Sequence, residues 1–121
     1  MSHITCAGQL DFLSAEQKAK LTKRFKSVKI GVMPRQIAVS LGMKRDEALA
    51  VVTILEANGL CENRLLIYHV CEPDTIADWV PLREGFPNRP WYCPLCEESI
   101  EEDSELSFDI MSLPFEAIEF I

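Results

Sequence analysis

Histidine is scarce in this chain: His3 and His69 are the only two among 121 residues. That scarcity leaves little room for the acid–base and nucleophile–base constellations that most often depend on it. Glycine-rich phosphate loops, G-x-S-x-G and H-E-x-x-H are absent too, so the common nucleotide-binding, hydrolase and metalloprotease patterns are missing. No uninterrupted apolar run approaches the length that spans a bilayer, and no membrane association is expected. Met1-Ser-His-Ile-Thr-Cys6 lacks a basic stretch followed by an apolar one, so no signal peptide is expected. What the chain does have is 48% hydrophobic residues, enough for one core or two small ones. It also has five cysteines, an odd number. With a CxxC pair among them, metal in a reducing, cytoplasmic setting fits better than a disulfide framework.

Four of the metal-competent side chains fall into two close pairs. His69-x-Cys71 is followed, after 21 residues, by Cys93-Pro94-Leu95-Cys96. Each pair can clamp one edge of a tetrahedron, and Pro94 presets a backbone angle in the tighter turn. The spacing predicts one structural Zn²⁺ held by His69, Cys71, Cys93 and Cys96. Four protein ligands leave no open position for water, so such an ion holds structure and performs no chemistry. The plainer alternative is a structural Cys93/Cys96 pair beside an ordinary strand histidine. A redox CxxC needs a βαβ context, and none surrounds this motif. Cys6 and Cys61 are left over and read as buried thiols acting as small hydrophobes.

The net charge of −7 hides a split along the chain. Residues 1–47 carry nine Lys/Arg against four acids; residues 48–121 carry three Arg against fifteen. Such a dipole favours a basic partner for the C-terminal part, or head-to-tail contact between copies. The run Glu97, Glu98, Glu101, Glu102, Asp103, Glu105 lacks the glycine and alternation of a Ca²⁺ loop and reads as a solvated surface.

Periodicity and caps predict three helices. The first covers 14–28, with Ser14 and Gln17 as a capping box and Leu21, Phe25 and Val28 on one face. The second starts at Pro34 and breaks at Gly42. The third covers 44–58 and ends at Gly59. Leu60–Cys71 reads as a short hairpin turning at Glu62-Asn63, with an apolar strand from Leu65 to Val70. Residues 72–90, rich in proline, read as a semi-rigid connection whose Trp79 and Phe86, with Trp91 just beyond, pack at a lobe junction. Residues 105–110 read as a strand of alternating faces. Phe115, Ile118, Phe120 and Ile121 make the C-terminal end unusually apolar, so they are expected to pack on this chain or on a partner.

The stretch Pro34-Arg-Gln-Ile-Ala-Val-Ser-Leu-Gly-Met-Lys through Asn58-Gly-Leu60 resembles a winged helix-turn-helix. The likeness rests on Ile37-Ala38, on Leu41-Gly42-Met43 as the inter-helix turn, on Ala48, Val52 and Leu55 facing inward, and on Gly59-Leu60 leading into a wing. Cys93-Pro-Leu-Cys96 followed by a strand is similar to a zinc ribbon, although Glu97 stands where such knuckles usually carry glycine. Together these imply an α+β protein, with a three-helix winged helix and β-hairpin wing in 1–72 and a zinc-ribbon-like lobe in 73–121. The winged-helix resemblance implies DNA binding through the third helix, with Lys44, Arg45, Lys23 and Arg24 as candidate phosphate or base contacts. Asp46 and Glu47 have the wrong sign for that role, and Leu49 and Ala50 cannot donate to a base. The third helix is apolar nearly all round, which reads as burial on more than one side. The expected function is therefore non-enzymatic: an adaptor or regulatory subunit docking on a partner protein, or on a second copy, through Leu49, Val51, Ile54, Phe120 and Ile121. A small DNA-binding transcription regulator is the alternative, with weak duplex binding.

Overall fold

The computed structural model describes residues 1–26 and 31–121. Among these the chain is mixed α+β. In order it forms β1 (Ser2–Ile4), α1 (Ala15–Arg24), α2 (Pro34–Leu41), α3 (Arg45–Ala57), β2 (Cys61–His69), β3 (Asp78–Pro81), β4 (Trp91–Tyr92), β5 (Ser99–Ile100), β6 (Leu106–Pro114) and β7 (Ile118–Phe120). None of the helices is long and apolar enough to cross a membrane. The expected contribution of Val28 to the first helix lies outside the described residues.

Two compact units emerge: Met1–Asn63 with Ser112–Ile121, and Arg64–Met111. They are not the consecutive stretches 1–72 and 73–121 expected from the sequence. The last ten residues belong with the first sixty-three because β7 pairs in parallel with β1, Ser2 opposite Ile118 and Ile4 opposite Phe120.

The helices of the first unit start and stop where local chemistry says they should. Gln17 N–H donates to Ser14 Oγ at 3.1 Å while Ser14 N–H donates to Gln17 Oε1 at 3.0 Å, a reciprocal cap on α1. Pro34 opens α2, where a missing N–H costs nothing. Gly42 ends α2 at φ 65°, in the left-handed region that a side chain disfavours. At the start of α3, Lys44 N–H donates to Glu47 Oε1 at 2.9 Å, and Glu47 N–H donates to Asp46 Oδ1 at 3.0 Å. Both carboxylates sit at the positive end of the helix dipole.

The core of this unit gathers Leu21 and Phe25 of α1, Ile37 and Leu41 of α2, and Ala48, Val51, Val52 and Leu55 of α3. Ile4 of β1 and Ile118 and Phe120 of β7 join the same cluster. The Phe25 and Phe120 rings lie 5.6 Å apart, and Phe120 N–H donates to Thr22 Oγ1 at 2.9 Å. Two residues expected on a partner surface are thus core residues. Val51 is fully buried and Phe120 nearly so: α3 packs on α2 while β7 packs on α1 and β1, and both residues fall in the one core cluster. Cys6 and Cys61 are buried there as well, and burial pushes the Cys61 thiol up to about 11.

The hairpin expected at Glu62-Asn63 does not form. Residues 61–69 are one uninterrupted strand. Asn63 is buried and held extended by α3: its Nδ2 donates to the Val52 carbonyl at 2.9 Å and its backbone N–H to Glu56 Oε2 at 2.7 Å. These long-range bonds outweigh the local turn preference of an Asn.

In the second unit β2 lies between β3 and β6. β3 is antiparallel to β2, Arg64 opposite Pro81 and Ile67 opposite Asp78. This strand falls inside the stretch read as a proline-rich connection. Pro81 is tolerated because β3 is an edge strand and Pro81 is its last residue. The aromatics of that stretch find partners inside the unit. Trp79 is covered by the Arg64 guanidinium 3.8 Å from its ring, and Phe86 meets Phe108 edge-on at 4.9 Å. Trp91 joins Ile67, Cys93 and Ile100 in a small buried cluster, with Val80, Leu106 and Phe108 packed against it. So small a core contributes little by itself, and a cross-link is the usual remedy.

Candidate metal centre

The second unit brings His69, Cys71, Cys93 and Cys96 together, with one ligand atom from each within 4.8 Å of all the others. β2 delivers His69 as its last residue, and a turn closed by Glu72 N–H donating to the His69 carbonyl at 3.1 Å carries Cys71 beside it. The other pair sits on a hairpin. β4 and β5 pair antiparallel, Trp91 opposite Ile100, and Cys93–Cys96 fills the turn between them. Glu97 N–H donates to the Cys93 carbonyl at 2.8 Å, and Cys93 N–H to the Glu98 carbonyl at 3.0 Å. Closing that turn puts Glu97 at φ 64°, the single non-glycine residue with positive φ among those described. The glycine preference noted at this position thus has a backbone cause.

Cys71 Sγ lies 3.8 Å from Cys93 Sγ, and Cys96 Sγ lies 3.5 Å from His69 Nδ1. A tetrahedral ion with metal–sulfur bonds of about 2.3 Å and metal–nitrogen bonds of about 2.0–2.1 Å needs edges of roughly 3.8 Å and 3.6 Å. Two edges therefore already have the right length. His69 and Cys93 are buried, Cys96 is half-buried and the Cys71 residue is exposed.

The electrostatics are compatible with a cation among the sulfurs. Burial raises the Cys93 thiol, but backbone N–H groups of Cys96 and Leu95 and the Cys96 and Cys71 thiols outweigh it and bring Cys93 down to about 7. Cys71 goes the other way, pushed up to about 12 by desolvation and by sharing its surroundings with Cys93 and Cys96. Three sulfurs this close cannot all carry charge unless something positive sits among them. Sequence spacing singled out the four residues that converge here. It did not find Glu105, whose Oε1 lies 3.7 Å from His69 Nε2, nor Glu98, which groups with the same two residues. No motif marks either one.

The remaining candidate residues are dispersed. Leu49 and Ile54 of α3 are half-buried and packed against the first unit's core, while Ile121 is 53% exposed. Lys23 and Arg24 are exposed at the end of α1 and line an open cavity of about 650 Å³ with Lys20, Lys26, Gln36 and Ser40. Lys44 and Arg45 are exposed at the start of α3 and do not line that cavity. The acid excess lies in the second unit, which carries three arginines against eleven acids, whereas the first carries nine basic residues against eight. No protein-family model, curated protein or solved structure matches the chain.

Proposed function

We propose that the chain is a non-enzymatic adaptor or regulatory subunit whose second unit is stapled by a structural Zn²⁺ at His69, Cys71, Cys93 and Cys96. The observation that carries this reading is the completeness of the ligand set: four protein atoms converge with two edges at tetrahedral lengths. Three thiolates and one imidazole are a zinc-type donor set, and a filled shell gives the ion no place to activate water or substrate. In this reading the second unit resembles a zinc ribbon and α1–α3 a winged helix. The small core around Trp91 and Ile100 supports a folding role for the ion, since binding energy at such a site is folding energy.

A protein partner is favoured over DNA by the start of α3. There Asp46 and Glu47 serve the helix N-terminus, and their charges would face any phosphate brought to Lys44 and Arg45. With Val51 and Phe120 committed to the core, Leu49, Ile54 and Ile121 are the apolar candidates left for docking.

Elemental analysis of protein purified without added metal is expected to give about one zinc per chain. Protein free of metal, or Cys93→Ser with undiminished metal content, would overturn the zinc assignment. Co-purification under nuclease treatment, compared between the parent and Leu49→Lys, tests the docking role: a partner that survives nuclease and is lost from a folded Leu49→Lys supports it. A partner lost with nuclease favours the DNA-binding alternative.

A further inference from the structure

The imidazole of His69 has two nitrogens, and only one faces the cluster of sulfurs. Nδ1 is 3.5 Å from Cys96 Sγ. Nε2 points away, is buried, and has no hydrogen-bond partner. The nearest charged group is the Glu105 carboxylate, Oε1 at 3.7 Å, just beyond bonding distance. Glu105 reaches this place for a backbone reason. Its carbonyl accepts from Val70 N–H at 3.1 Å, which fixes residue 105 alongside the stretch that carries His69 and Cys71. Its side chain is 45% exposed, and one carboxylate oxygen leans toward the buried ring.

We infer that Glu105 is the positioning residue of the metal centre, accepting a hydrogen bond from His69 Nε2–H and so holding Nδ1 as the metal-binding nitrogen. The inference rests on the zinc reading above. A neutral imidazole carries one proton, and a nitrogen that donates its lone pair to an ion cannot keep that proton. With Nδ1 on the metal, the proton sits on Nε2, in a buried place that needs an acceptor. A small rotation of the Glu105 side chain supplies it. Ligating histidines are commonly oriented in this way, and the acceptor both fixes the ring and raises its basicity toward the ion. Glu98 also groups with His69 and Glu105. Its residue is exposed, and it is bound to the knuckle through its carbonyl, which accepts from Cys93 N–H. It therefore serves as the control position.

The test compares the zinc affinity of the parent, Glu105→Leu, Glu105→Gln and Glu98→Gln by competition with a chromophoric chelator. Long-range proton–nitrogen correlation spectra of the zinc-loaded proteins report the His69 tautomer. Expected are a Nδ1-bound, Nε2–H ring in the parent and affinity about 10- to 100-fold weaker in Glu105→Leu. Glu105→Gln keeps an oxygen acceptor and is expected to recover most of the loss, and Glu98→Gln to bind as the parent does. A Nε2-bound ring overturns the inference and moves the ion toward Glu98 and Glu105. So does a zinc-loaded Glu105→Leu of parental affinity, or a Gln variant as weak as the Leu variant. A parent that binds no zinc overturns the zinc reading together with this one, whereas the other outcomes leave zinc in place.

Discussion

Asn63 Nδ2 donates to the Val52 carbonyl at 2.9 Å, so a buried side-chain amide bonds the start of the long strand to the third helix. The same residue's N–H reaches Glu56, one turn further along that helix. Replacing Asn63 by alanine removes the amide and leaves its former partners without it in a site that excludes water. The expected loss is about 1–3 kcal/mol, read as a lower urea midpoint with unchanged slope. An unchanged midpoint would show that the bond contributes nothing net.

Phe120 and Ile121 are neighbours in sequence with opposite surroundings, 4% and 53% exposed. Phe120→Ala is expected to destabilise the first unit by about 3–5 kcal/mol. Ile121→Ala is expected to stay within about 0.5 kcal/mol. Equal effects in thermal or chemical denaturation would contradict the placement of Phe120 against Phe25.

Chelation is expected to unfold the second unit selectively. Its small core holds Trp91, so if zinc staples the unit, its removal should abolish the near-ultraviolet signal of that ring. Amide protection at Leu21, Val52 and Leu55 in the first unit's core is expected to outlast it. Loss of both sets together would show that the ion supports the whole chain.

Glu97 at φ 64° carries a strain that glycine would not. The left-handed region costs an ordinary residue roughly 1–2 kcal/mol, and glycine's extra unfolded-state freedom returns about 0.5–1 kcal/mol of that. Glu97→Gly should therefore be stabilising by up to about 1 kcal/mol with zinc content unchanged. Glu97→Val, β-branched at the same angle, is expected to lower both stability and metal retention. A destabilised glycine variant would mean that the Glu97 side chain itself contributes.

Signals confined to a few residues were legible in the sequence, and signals that required distant partners were not. Ser14 with Gln17, Pro34 and Gly42 fix helix ends through their own backbone chemistry, and each appears where expected. The convergence of His69, Cys71, Cys93 and Cys96 was legible because close pairing in the chain is what a metal-competent cluster needs. Asn63 misled because its turn preference is local and weak, whereas its bonds to α3 are distant and buried. Val51 misled in a related way. An apolar third helix does need cover on several sides, but nothing near it in sequence says that the same chain completes the core into which Val51 packs. Glu105 was invisible for a simpler reason: one acid in an acidic stretch has no distinguishing neighbours until Val70 fixes its carbonyl in place.

The parallel pairing of β1 with β7 sets the order in which the protein can mature during synthesis. Ser2 leaves the ribosome early, yet its partner Ile118 is made only after every residue of the second unit. The nascent helices must wait with part of their apolar surface uncovered, while Arg64–Met111 is synthesised in full before β7. Pairing across so long a separation is slow to form and leaves an unfinished core exposed meanwhile. A released chain ending before Leu113 should accordingly leave its amino-terminal unit open to protease and chaperone, whereas the full chain should not.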